Sequence, residues 1–168
     1  YWDFLTKATF DLNQTDQISF LGIAALNNVK WFNETKEQRN SNSQILGSDQ
    51  QQFVFGMNYR HLLSSGIFTT SLSQVNVEYA FLQRNADLTP IFSNSSYDRQ
   101  TALKSDLTWK LSKSLRLSTG AKLSRIDFYS DLLLNQNDVP GIGSLSIEEE
   151  YAKVGYKSGI YGQLSQRF

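Results

Sequence analysis

The chain has 168 residues, with 16 basic and 16 acidic side chains and no cysteine. Balanced charge leaves no electrostatic footprint for nucleic acid, and the lack of thiols excludes disulfides and thiolate metal centres. The longest apolar run, Phe20 to Leu26, falls far short of the roughly 18 residues a membrane helix needs, so a helical membrane protein is excluded while a membrane β-barrel is not. The length fits one domain, and residues 1–168 are treated as a single segment. The opening YWDFLTK lacks a basic region followed by an apolar core, so the chain shows no secretion signal of its own.

The first predicted element is a hairpin. Trp2, Phe4, Thr6, Ala8, Phe10 and Leu12 share one side of an extended strand, and Asp3, Lys7, Thr9 and Asp11 share the other, with Leu5 out of pattern. A polar turn over Asn13 to Gln17 reverses the chain, and the return strand sets Ile18, Phe20, Gly22, Ala24 and Leu26 on one face, with Leu21, Ile23 and Ala25 blurring its alternation. Asn33 to Gln51 has neither helical nor strand periodicity and reads as a long loop. Phe53, Phe55, Met57, Tyr59 and His61 then alternate with Val54, Gly56, Asn58 and Arg60, and Leu62 to Gly66 makes a short turn. In the next strand Val75, Val77, Tyr79 and Phe81 oppose Gln74, Asn76 and Glu78, and a polar loop is expected from about Gln83 to Arg99.

The sharpest alternation follows. Leu103, Ser105, Leu107, Trp109 and Leu111 oppose Lys104, Asp106, Thr108 and Lys110, and after the turn Ser112 to Ser114, Leu115, Leu117, Thr119, Ala121 and Leu123 oppose Arg116, Ser118, Gly120, Lys122 and Ser124. The longest loop is expected from Tyr129 to Tyr156, before a last strand, SGIYGQLSQRF. About seven long strands in an antiparallel up-and-down meander result, so the fold class is all-β.

Short turns near residues 13, 63 and 113 alternate with long connections near 33, 83 and 130, as in an outer-membrane barrel. Aromatics gather at strand ends: Phe10, Tyr59 and Trp109 near the turns; Trp2, Trp31, Phe32, Phe53, Tyr79, Phe81, Phe128 and Tyr129 near the loops. Two such groups match the two interfaces of a bilayer. Alternation does not tell a soluble barrel, apolar face inward, from a membrane barrel, apolar face outward. Strands of about 10 to 14 residues, against about 5 to 6 in soluble proteins, favour the membrane.

YWDFLTKATFDLNQTDQISFLGIAAL, FGMNYRHLLSSGIFTTSLS and KSGIYGQLSQRF together resemble the β-barrel of TonB-dependent outer-membrane receptors, particularly the Bacteroidetes type. The resemblance implies a barrel of about 22 strands, a plug domain, energy delivered through TonB, and uptake of an iron chelate, vitamin or glycan across a bacterial outer membrane. The implied partners of this stretch are outer-membrane lipid, the plug, the remaining barrel strands and, indirectly, TonB. On that reading Arg60, Glu78, Lys104, Asp106 and Lys122 face the plug or lumen, and the three long loops meet the ligand. The odd strand number marks the chain as an excerpt, although Phe168 also fits a true barrel C-terminus.

Chemistry of other kinds finds little support. The single histidine, His61, beside a turn reads as structural, and Glu148 to Glu150 as a solvated acidic run. Asn33-Glu34-Thr35 and Asn94-Ser95-Ser96 match a glycosylation pattern that is irrelevant in a bacterium, and Gly120, Gly159 and Gly162 sit in strands. No catalytic, cofactor or metal residues are assigned. Two alternatives stay open: a small complete barrel of OmpA type, for which an eighth strand within 139–155 is needed, and an outer-membrane phospholipase, which lacks a second base.

Overall fold

The computed structural model describes residues 1–139 and 143–166. Seven strands, β1 (Trp2–Asp11), β2 (Asp16–Asn27), β3 (Gly47–Leu63), β4 (Gly66–Arg84), β5 (Pro90–Lys110), β6 (Leu115–Val139) and β7 (Gly143–Gln166), form one sheet in sequence order. Every neighbouring pair is antiparallel. The expected all-β meander of seven strands is therefore observed. β1 and β7 do not pair with each other, so the sheet is open.

Local chemistry makes the turns. Asn13 Oδ1 accepts from the Thr15 and Asp16 amides at 2.8 and 2.9 Å, and Ser112 Oγ accepts from the Leu115 amide at 3.1 Å. Such side chains replace the ladder bonds lost at a reversal. At the other end Asn85 Oδ1 accepts from Asp87 and Thr89, closing a five-residue connection with Leu88 in the left-handed region (φ 67°).

The long connections differ from expectation. Asn33 to Gln51 is not a featureless loop: it contains the helix α1 (Lys36–Asn42), capped reciprocally by Thr35 and Gln38, and the start of β3. Between Gln83 and Arg99 only residues 85–89 and the bulged Ile91 leave the ladder, and within Tyr129 to Tyr156 β6 and β7 stay paired to Gln136 and Leu145 and, after a register break, at Val139 and Gly143. Strands consequently run from 10 residues in β1 to 25 in β6, beyond the expected range. Polar strand segments such as Ser93 to Ser96 have the composition of a loop, but the ladder satisfies their backbone groups and fixes them extended. Phe168 lies outside the described residues.

The sheet has almost no core. Among described residues only Ala102, 6% exposed, and Ser124, 2% exposed, are buried. The accessible surface is 12232 Å², whereas a compact globular protein of this mass exposes roughly 8,400 Å². Hydrogen bonds between strands, rather than an interior, hold the chain in this shape.

Candidate functional site: an oblique apolar belt and an outer hairpin array

Register sorts the side chains into two faces, because directly paired residues point the same way. One face carries a belt. From β1 to β6 it includes Phe4 and Phe10, Ile18 and Phe20, Phe55 and Met57, Phe68 and Leu72, Leu103 and Leu107, and Leu117 and Leu123. In β7 Ile160 and Leu164 continue it. Many of these side chains stand in the open: Phe4 is 57% exposed, Leu123 55% and Ile160 89%. At about 25 cal/mol per Å² a contiguous apolar surface of this kind costs heavily in water unless something covers it.

The belt runs obliquely to the hydrogen bonds. Trp2 and Leu26 close it in β1 and β2, and their row continues through Gln51, Glu78, Tyr97 and Tyr129. In β6 the belt ends at Leu123, six residues nearer the turns, so it slips six residues in five strand-to-strand steps. Turns slip likewise. The row of the last β1–β2 pair, Asp11 and Gln17, meets β5 at Asp106, while the β5–β6 ladder continues four residues further, to Lys110. A slip of about 4 Å per strand against a spacing of about 4.8 Å corresponds to strands tilted roughly 40° from the belt's normal.

Aromatics border this belt on its own face. Phe10, Tyr59, Phe68 and Trp109 lie toward the turns and Trp2 and Phe53 along the opposite margin, whereas Tyr97 and Tyr129 share the row of Trp2 and stand six residues past the belt's end in β5 and β6. Tyr97 and Tyr129 stack with ring centroids 5.4 Å apart, and the Arg99 guanidinium sits 4.1 Å above the Tyr97 ring. Tyr79, Phe81 and Phe128 belong to the other face, which corrects their expected place in the same border.

Behind the belt the sheet is polar in β5 and β6, while Leu5, Ile23 and Val54 form an apolar row across β1 to β3. Arg60, Lys104, Asp106 and Lys122 share this second face as expected, but Glu78 does not: it pairs with Gln51 and Tyr97 and stands on the belt face, above the belt. Lys104 Nζ lies 2.8 Å from Asp106 Oδ2, and Tyr161 reaches from β7 across Gly120 to donate to Asp106 Oδ1 at 2.7 Å. A Cβ on Gly120 would meet Asp106 Oδ1 and the Tyr161 ring at 2.5 Å, so only glycine leaves this path open. Ala102 and Ser124, the two buried residues, form a pair on this face.

Past the belt the faces exchange character. Val75, Val77, Tyr79 and Phe81 in β4 and Ile126, Phe128, Leu132 and Leu134 in β6 lie on the second face, where Tyr79 stacks on Phe81 at 6.1 Å. The belt face there carries Asn76, Glu78, Arg99, Arg125, Asp127 and Asp131. Val75 to Phe81 therefore lie opposite the belt, a correction to their expected placement. Arg99 donates to Asn76 Oδ1 at 2.7 Å and to Glu78 Oε1 at 3.2 Å; the Asn76 amide, then the guanidinium, hold the Glu78 carboxyl below its ordinary range. Arg125 and Asp127 pair at 2.7 Å.

The remaining candidates fall apart in space. His61 Nδ1 lies 2.6 Å from Asp16 Oδ1 at the turn margin, with Tyr59 also donating to Asp16, a pairing that holds the first turn to β3. Glu148 to Glu150 is part of strand β7, not of a loop. Among the described residues no three metal-ligating side chains converge, and no helix is long and apolar enough to cross a membrane. A cavity of about 270 Å³ lies where the β2–β3 connection folds over β3 and β4; it is lined by Trp31, Arg39 and Arg84 among others. Its lining comes from separate segments, so no local motif announced it. No protein-family model matches the chain, and no curated protein matches it.

Proposed function

We propose that the chain is a wall segment of a bacterial outer-membrane β-barrel of the TonB-dependent receptor type, which takes up a nutrient of the iron-chelate, vitamin or glycan class. The observation that carries this reading is the oblique belt. A level hydrocarbon layer crossed by strands tilted about 35–45° must appear in the sheet as an apolar band slipping by about one residue per strand. A soluble barrel with its apolar face inward has no reason to confine that face to part of the strand length and then exchange it. The belt covers about seven to nine residues of most strands, roughly 20–30 Å of strand, which at this tilt is about 15–23 Å of height, at the short end of the apolar band of about 25 Å in outer-membrane barrels.

The open edges of β1 and β7 support further strands beside both. Unpaired backbone groups cost several kcal/mol each in hydrocarbon, so a lipid-facing sheet is completed by neighbours. Within residues 143–166 there is one strand, β7, so the eighth strand that the small complete barrel needs is not found there. On this reading Arg60, Lys104, Asp106 and Lys122 face the lumen or plug, and the long hairpins β4–β5 and β6–β7 stand outside the cell. Their apolar second face then lines the entry path of the ligand.

The test is to trim the β6–β7 hairpin in the intact receptor by deleting residues 130–151, back to the Tyr129 and Ala152 pair. Uptake of the cognate nutrient falls, while heat-modifiable gel mobility shows a barrel that still folds. Normal uptake by the folded, trimmed barrel removes this hairpin from the ligand path.

A further inference from the structure

The cavity beside α1 has no part in the reading above, and its chemistry is specific. Gly47, Asp49, Ala80 and Leu82, which supply its floor, lie on the belt face of β3 and β4 by register. The site is thus on the opposite side of the sheet from the proposed lumen. The Trp31 indole lies against Gly47, where a Cβ would come within 3.1 Å of its Nε1. The connection is tied down by the Val29 amide donating to Asp49 Oδ1 at 2.9 Å and by Gln83 Nε2 donating to the Ser43 carbonyl at 2.9 Å.

Two guanidiniums, Arg39 and Arg84, line this cavity, and among the described residues neither has a carboxylate within 4.0 Å. Asp49 is the only acidic residue in the lining, and it is engaged by a backbone amide. The lining therefore has an excess of one positive charge. Guanidiniums match carboxylate and phosphate oxygens with paired hydrogen bonds. Asn85 uses its oxygen on the turn and keeps its amide hydrogens free for a ligand, whereas Asn42 spends its amide hydrogens on Phe32 and Asn33 and keeps its oxygen. A donor, an acceptor, an indole ring and two cations in about 270 Å³ suit one hydroxylated ring with one anionic group.

We propose that this cavity binds a single acidic sugar unit, carrying a carboxylate or a phosphate, on the belt face of the sheet. The sugar comes either free from solution or as the headgroup of a glycolipid. Asp49 lies four residues beyond Phe53, the last belt residue of β3, which is roughly 13 Å along the strand and level with headgroups on the membrane reading. Only the glycolipid source rests on that reading; the cavity itself does not.

The experiment titrates the intact protein in detergent with glucuronate, glucose 1-phosphate and neutral glucose, followed by tryptophan fluorescence and calorimetry, and then repeats it in nanodiscs with and without lipid A. Submillimolar binding of a free anionic sugar, no binding of glucose, and at least tenfold weakening by Arg39→Gln and by Arg84→Gln support the free source. Binding of lipid A alone, with the same arginine dependence, supports the glycolipid source. Trp31→Phe removes the fluorescence change in either case, and gel mobility confirms that each variant folds. Equal binding of glucose and glucuronate, or no arginine-dependent binding of any of these probes by folded protein, overturns the proposal and leaves the barrel reading standing.

Discussion

The part of the sheet near the turns and the part near the hairpin tips are built from the same strands, yet in β4 to β6 they carry their apolar side chains on opposite faces. Near the turns Phe68, Leu72, Leu103, Leu107, Leu117 and Leu123 stand on one face, and Lys104, Asp106 and Lys122 on the other. Near the tips the first face carries Glu78, Arg99, Arg125 and Asp127, and the second carries Val75, Val77, Ile126 and Phe128. Within β4 to β6 the same backbone thus carries two opposite patterns, and the change falls in one row, between Leu72, Leu103 and Leu123 and Val75, Gln100 and Ile126. The difference teaches that face assignment in a long strand is local: a residue's parity has meaning only together with its height.

The largest expected effect breaks this contrast at its centre. Leu107→Arg in the intact, lipid-embedded protein costs about 2–4 kcal/mol of folding stability, because the substitution puts a charge mid-belt. Ser95→Arg, on the same face but twelve residues nearer the tips, costs less than about 0.5 kcal/mol, as a surface substitution should. Equal losses for the two in a denaturant titration in lipid would mean that the belt does not end where the side chains say it does.

A smaller effect sharpens the account of the polar face. Gly120→Val forces a methyl-bearing carbon into the path of Tyr161 toward Asp106, and overpacking of this type costs about 1–3 kcal/mol. Tyr161→Phe removes the hydrogen bond without the clash and costs less. If the glycine variant is as stable as the parent, Tyr161 does not cross Gly120 in the folded protein.

Much of the lower sheet was legible in the sequence, and the reason is physical. In β5 and β6 alternation is nearly strict, although Leu5, Leu21 and Ile23 blur it in the first hairpin, and the turns at Asn13, Ser64 and Ser112 carry the residues that turns require. The tip region was harder to read. Its strands are rich in serine, asparagine and glutamine, and long-range pairing rather than composition keeps them extended. The exchange of faces did leave a trace: Leu72 to Val75 and Leu123 to Ile126 are steps of three, which break the period of two at the same boundary. The helix α1 also left one, in Thr35 and Gln38 at capping-box spacing, but with no apolar stripe to extend it. The cavity left none, since Trp31, Arg39 and Arg84 meet only once β3 and β4 have paired.

The most direct test of the central claim is spin-label accessibility, and the chain has no cysteine to compete with an introduced one. Single labels at Leu103, Leu107, Lys104, Ser95 and Val77 in the intact protein, reconstituted in lipid, are probed with oxygen, which concentrates in hydrocarbon, and with a water-soluble nickel complex. The account predicts high oxygen and low nickel accessibility at Leu103 and Leu107 alone. Lipid exposure at Ser95 or Lys104, or water exposure at Leu107, contradicts it.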